Sequence, residues 1–196
     1  MTRLLLVRHG ESEWNAEGRW QGHADPPLSH FGRRQAEDAA ASVAGVDVVA
    51  SSDLQRAWLT ATILAERCSL PLLDPDPDLR ERAAGPWEGL TRAEIERGWP
   101  GWLADDRRPE GFEVDDHLLT RTTEALHRLA ATRPSVSVLV VTHGGVIRAH
   151  ERLHGAPPER VPNLGGRWLE VSGGETVMGE RVELAPADER TLPPEH

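Results

Sequence analysis

Apolar residues fall along this chain in two rhythms. Short, mostly apolar runs stand at residues 4–7, 46–50, 70–73 and 136–141. Each is too short for a helix core and reads as a buried strand of a parallel sheet, which shows both faces to protein. Between them the spacing lengthens to that of helices. Ser29 reads as the N-cap of a helix over about residues 30–43, with Gly45 as its stop, and a second helix runs to about residue 67. Thr91 and Glu94 form a capping box ahead of a short helix ending near residue 98. Leu118, Leu119, Thr122, Leu126 and Leu129 mark the apolar face of a helix over 114–131, and another helix follows Gly144-Gly145. Residues 167–172 and 175–184 alternate like strands about Gly173-Gly174. The prediction is an α/β fold with helices on both faces of a mostly parallel sheet.

The strand ends are where chemistry collects. The first run stops at Arg8-His9-Gly10 and the last at Thr142-His143-Gly144-Gly145. Ligands bind in the crevice at the carboxyl ends of such strands. Gly10 is expected to let backbone approach a ligand closely. Arg56, early in the helix after the second strand, points to the same sheet edge.

Leu4-Leu-Leu-Val-Arg-His-Gly-Glu-Ser-Glu-Trp-Asn15 resembles the signature of the histidine phosphatase, or phosphoglycerate mutase-like, superfamily. The likeness continues in family order to about Ser172. It takes in Gln21-Gly22 with Asp25, Pro27, Leu28 and Ser29, the Ser52 to Ala57 segment, Leu79-Arg-Glu81 with Gly85 to Gly89, and Thr142 to Gly145. The resemblance implies a three-layer sandwich of the phosphoglycerate mutase-like type, with residues 1–184 as one domain. It implies His9 as nucleophile, Arg8, Arg56 and His143 around the phosphoryl group, and Glu81 as proton donor and acceptor. Asn15, Gln21, Gly22 and Gly144 match positions that line the family's pocket. Glu88 also matches a recurrent position and is expected to bond the backbone of its turn. The Pro109-Glu-Gly-Phe-Glu113 stretch matches the family only loosely, which leaves a role for Glu113 open.

Composition narrows the classes. Formal net charge is -10, a surface that gives no hint of nucleic acid or anionic lipid as partner. All 22 basic residues are arginine, which removes enzymes that need a catalytic or phosphate-loop lysine. Arginine's planar fork suits phosphate, and no metal or other cofactor is expected where guanidinium groups supply the charge. Cys68 is the only cysteine, and no run approaches membrane-spanning length, so the expectation is a soluble cytoplasmic protein. Oligomeric state is open, a homodimer included. Residues 185–196, acidic and Pro-rich, are expected to be a disordered tail.

The resulting expectation is a phosphomonoesterase for a small phosphorylated metabolite, working through a phosphohistidine. A phosphoglycerate mutase-type phosphotransferase is the alternative. A remote one comes from His150-Glu151-Arg-Leu-His154, a literal H-E-x-x-H, the spacing of a zinc protease. Its plain reading is two half-exposed helix histidines, and a third ligand would have to be Glu159 or Glu170. Residues 99–113 read as a substrate-covering loop. Trp20, Trp87, Trp99 and Trp102 are candidates for the wall of the leaving-group pocket.

Overall fold

The computed structural model describes residues 1–157 and 159–185. Five strands form one sheet in the order β2-β3-β1-β4-β5. These are β1 (Thr2–Arg8), β2 (Val48–Ser51), β3 (Ser137–Thr142), β4 (Gly165–Ser172) and β5 (Glu175–Glu183). β1 and β2 both pair in parallel with β3, and β4 runs antiparallel to each of its neighbours β1 and β5. Only β4 opposes the common direction, so the sheet is mixed, with four strands pointing one way. Residues 70–73 do not become a strand. They give a single bridge, Leu72 to Val49, because Pro71 has no N–H to donate to a ladder.

The period of two along β1 splits its side chains between two cores. Leu4 and Leu6 pack with Val138, Val140, Ala125, Leu126 and Ile147. Leu5 and Val7 pack with Leu139, Val141, Ala57, Ala61 and Leu64. The first core lies under α5 (Asp115–Thr132) and α6 (Gly144–Leu153), the second under α2 (His30–Ala39) and α3 (Gln55–Cys68). Helices therefore cover both faces, which is why β1 and β3 carry no polar alternation.

Two shorter helices sit at the carboxyl edge. α1 (Glu13–Ala16) was not anticipated. Its capping box pairs Ser12 with Asn15, each satisfying the other's backbone N–H. α4 (Arg92–Gly98) starts at the expected Thr91–Glu94 box. Ala185, one residue past the expected boundary, is buried in the second core. The rest of the expected tail, residues 186–196, lies outside the described residues. Among the described residues, no helix is long and apolar enough to cross a membrane.

Candidate active site

The carboxyl ends of β1, β2 and β3 open into a cleft of about 660 Å³, within the range of small-molecule sites. Arg8, His9, Arg56 and Glu81 border it, as do Asn15, Gln21, Gly22 and Gly144. His143 stands behind His9, their rings edge to face at 5.2 Å. The sequence motifs, scattered over the chain, thus meet at one place.

His9 is held from every side. Its backbone N–H donates to Thr142 O across the sheet (3.0 Å), and its own carbonyl accepts from Asn163 Nδ2 (2.8 Å). Ring Nδ1 donates to Gly10 O at 2.6 Å, which fixes the tautomer and leaves Nε2 with a lone pair. Gly10 serves a different end from the one expected. A Cβ there would stand 2.6 Å from Gly32 O, so glycine lets α2 pack against this turn. Gly10 N donates to Thr60 Oγ1 and Glu11 N to Gln35 Oε1, tying the turn to α3 and α2.

Two cations are buried here with no carboxylate in contact among the described residues. Arg8 Nη1 donates to Val161 O, and Arg56 donates to Ala24 O and Gly22 O. Burial pushes Arg8 down to about 9 and Arg56 to about 10, so both stay charged at neutral pH. Burial first, then the guanidinium charges, holds His9 well below the ordinary imidazole value. His143 is lowered in the same way, by burial and then Arg56. Both ring nitrogens of His143 and Nε of Arg56 are buried with no hydrogen-bond partner among the described residues. Buried polar atoms are normally paired. Unpaired donors beside paired-off cations describe a socket for an anion with several acceptor oxygens.

Glu81 faces this socket from the segment after the 3₁₀ turn at Pro77–Leu79. Oε2 accepts from Gly145 N (3.0 Å) at the start of α6, and Oε1 from Arg82 N (2.8 Å). A Cβ on Gly145 would lie 2.1 Å from Glu81 Oε1, so a larger residue there would push the carboxylate out of its place. Behind Glu81, Arg121 of α5 donates to the carbonyls of Asp78, Arg80 and Glu81 at 2.7–2.9 Å. The same guanidinium grips both oxygens of Glu113, whose carboxylate also accepts from Ala83 N. Glu113 is therefore a strut joining the covering loop to the Glu81 segment. Glu88 does what was expected, accepting backbone N–H groups of His23, Ala24 and Ala84.

A family model described as histidine phosphatase superfamily (branch 1) matches residues 4–178. The chain belongs to the histidine phosphatase superfamily. This histidine phosphatase is 36% identical to a glucosyl-3-phosphoglycerate phosphatase of Mycolicibacterium vanbaalenii, over 91% of this chain and 87% of that one. It is 39% identical to metal-independent phosphoserine phosphatase of Arabidopsis thaliana, over 76% of this chain and 67% of that one. The solved structure of a mycobacterial glucosyl-3-phosphoglycerate phosphatase complexed with VO3 matches with a TM-score of 0.81 at 31% identity. That match covers 90% of this chain and 96% of the other. The chain is a phosphatase of this family.

The zinc-protease alternative fails on geometry. His150 is buried, not half-exposed, and its Nε2 shares a hydrogen bond with Thr122 Oγ1. Glu151 is fully buried and clamped by Arg181 and Arg167. Glu159 pairs with Arg181 and Glu170 lies beside Arg3. Among the described residues, no group of three or more His, Cys, Asp or Glu is placed to hold a metal. Of the four tryptophans, only Trp20 borders the cleft. Trp87 is the centre of a satellite core with Ile95, against which Trp99 and Trp102 pack. The covering loop does reach the cleft, through Asp106, Arg108, Phe112 and Glu113. Sequence reasoning assigned no role to Asn163, Arg121 or Arg148.

Proposed function

We propose that this phosphatase hydrolyses small phosphomonoesters by way of a phosphohistidine on His9. The observation that carries the reading is the His9 ring. It is buried and neutral, its Nδ1–H is committed to Gly10 O, and its Nε2, beside two cations, has no partner among the described residues. A neutral imidazole with one nitrogen anchored is a nucleophile aimed in advance.

In this reading Arg8 and Arg56 neutralise the non-bridging oxygens, and His143 donates a further hydrogen bond from its unpartnered ring. These donors are fixed before substrate arrives, so they cost little reorganisation as charge shifts in the transition state. His9 Nε2 forms the bond to phosphorus while the ester P–O bond breaks, and the protonated Glu81 carboxyl gives its proton to the departing alkoxide. Water then attacks phosphorus, Glu81 takes the water's proton, the N–P bond breaks and phosphate leaves. Asn15, Gln21, Gly22 and Gly144 are assigned to holding substrate. Charge that a metal would supply elsewhere comes here from guanidinium groups.

Glucosyl-3-phosphoglycerate and phosphoserine, the substrates named for the relatives, are the first compounds to try. We take residues 1–184 as one catalytic domain acting in the cytoplasm, where the lone thiol of Cys68 stays reduced. The test is to quench the enzyme in alkali during turnover and map the phosphate by mass spectrometry. Phosphate on His9 is the expected result. Steady turnover with His9 unmodified at every quench time overturns the reading. With 3-phosphoglycerate, free phosphate marks hydrolysis and 2-phosphoglycerate marks a mutase.

A further inference from the structure

The phosphoryl socket uses Arg8 and Arg56 but leaves another guanidinium on the wall of the same cleft. Arg148 lies on the α6 face that also carries Gly144 and Arg152, and all three border the cleft. Positions four apart share one face of a helix. Other arginines around the cleft are matched: Arg82 and Arg152 with Asp115, Arg108 with Asp106, Arg19 with Glu94. Among the described residues, Arg148 makes no hydrogen bond, ion pair or ring contact. It is nonetheless half-buried, and burial is the largest influence lowering its pKa. A cation drawn partly out of water with no acceptor is a cost the fold has no structural reason to carry.

Its surroundings say which part of a substrate it would meet. Arg148 lies one turn along α6 from Gly144, which packs against the Arg8 side chain, so it adjoins the phosphoryl end. It also lies one turn from Gly145, whose N–H donates to Oε2 of Glu81, the acid facing the leaving oxygen. That places Arg148 on the leaving-group side. We infer that Arg148 binds a second anionic group, a carboxylate or a phosphate, on the alcohol half of the substrate. The preferred substrates are then phosphomonoesters of small acidic alcohols. This rests on the phosphomonoesterase reading and narrows it.

A planar fork matches either anion with two parallel hydrogen bonds. An ester lacking that anion leaves the guanidinium unpaired, and sites with a buried polar group reject such analogues. The contact is made before and during reaction alike, so it enters through KM.

The experiment compares 3-phosphoglycerate with glycerol 3-phosphate, which has a hydroxymethyl group in place of the carboxylate. Glycerol 1,3-bisphosphate puts phosphate at that position. The wild-type enzyme should favour at least one ester with a second anionic group over glycerol 3-phosphate by about tenfold or more in kcat/KM, the scale of a charged hydrogen bond. Which one it favours tells carboxylate from phosphate. Arg148→Met should collapse that ratio to near one by raising KM, and Arg148→Lys should restore part of it. No preference in the wild-type enzyme, a preference that survives Arg148→Met, or an equal loss on all three esters overturns the inference while leaving the phosphatase intact. If no phosphomonoester of any kind releases phosphate, the reading beneath it falls as well.

Discussion

The molecule contains two pairs of histidines, and they differ in what the protein has done with the rings. His9 and His143 stand where β1 and β3 end; His150 and His154 lie a turn apart near the end of α6. His9, His143 and His150 are all buried, and burial lowers all three below the usual imidazole value. Burial and a lowered pKa therefore do not separate a reactive ring from a structural one. Neighbours do. His150 shares its Nε2 with Thr122 and His154 spends Nδ1 on His150 O, while the acid between them is neutralised by two arginines. Around His9 the protein leaves both ring nitrogens of His143 and Nε of Arg56 without a partner among the described residues, sets two cations nearby and opens a cleft that His9 borders. His150 Nδ1 is also buried without a partner among the described residues, so an unpaired nitrogen marks a site only where cations and a cleft accompany it.

The contrast can be broken most severely at His9. His9→Ala should lower the turnover number by roughly a thousandfold or more while the folded circular-dichroism spectrum persists, since removing a nucleophile leaves the surrounding charges in place. Near wild-type turnover would move the nucleophile elsewhere. Glu81→Gln comes next. For alkyl phosphates the loss should be about 10²–10⁴-fold, the usual scale for a proton donor. For an aryl phosphate such as p-nitrophenyl phosphate, whose leaving group needs no proton, the first step should be far less affected. Equal losses on both would deny Glu81 the donor role.

The smallest effect belongs to the other pair. Folding holds His150 neutral down to about 4, whereas the unfolded chain takes up its proton near 6.5. Between those values the unfolded state binds more protons, so stability is full above 6.5 and falls as the pH drops toward 4. The loss is on the order of 3 kcal/mol. His150→Gln should flatten the curve of melting temperature against pH in that window and leave phosphate release at pH 7 within roughly twofold. EDTA should leave the rate unchanged. A rate that collapses with either would restore a chemical role to the H-E-x-x-H sequence.

Most of this contrast was legible in the chain. Arg8, His9 and His143 follow mostly apolar strands, so the end of each run fixes where the side chain stands. Arg56 follows from the strand before its helix. Other features are three-dimensional accidents of packing. The reason for Gly10 is the backbone of Gly32, a partner no local pattern names. Trp87 and Trp20 look alike in sequence, but one centres a satellite core and the other meets solvent in the cleft. Leu70 to Leu73 had the composition of a strand and lost the ladder to Pro71. Arg148 was invisible because its importance is a missing acceptor, and Arg121 because its acceptors are carbonyls, which every residue has.

Arg121 has a consequence for how the acid is kept in place. One guanidinium fastens both the Glu81 turn and Glu113 at the end of the loop bordering the cleft. Under the proposed mechanism, any displacement of that loop end would disturb the seat of the acid, so cleft geometry and the supply of a proton would be tied through a single side chain.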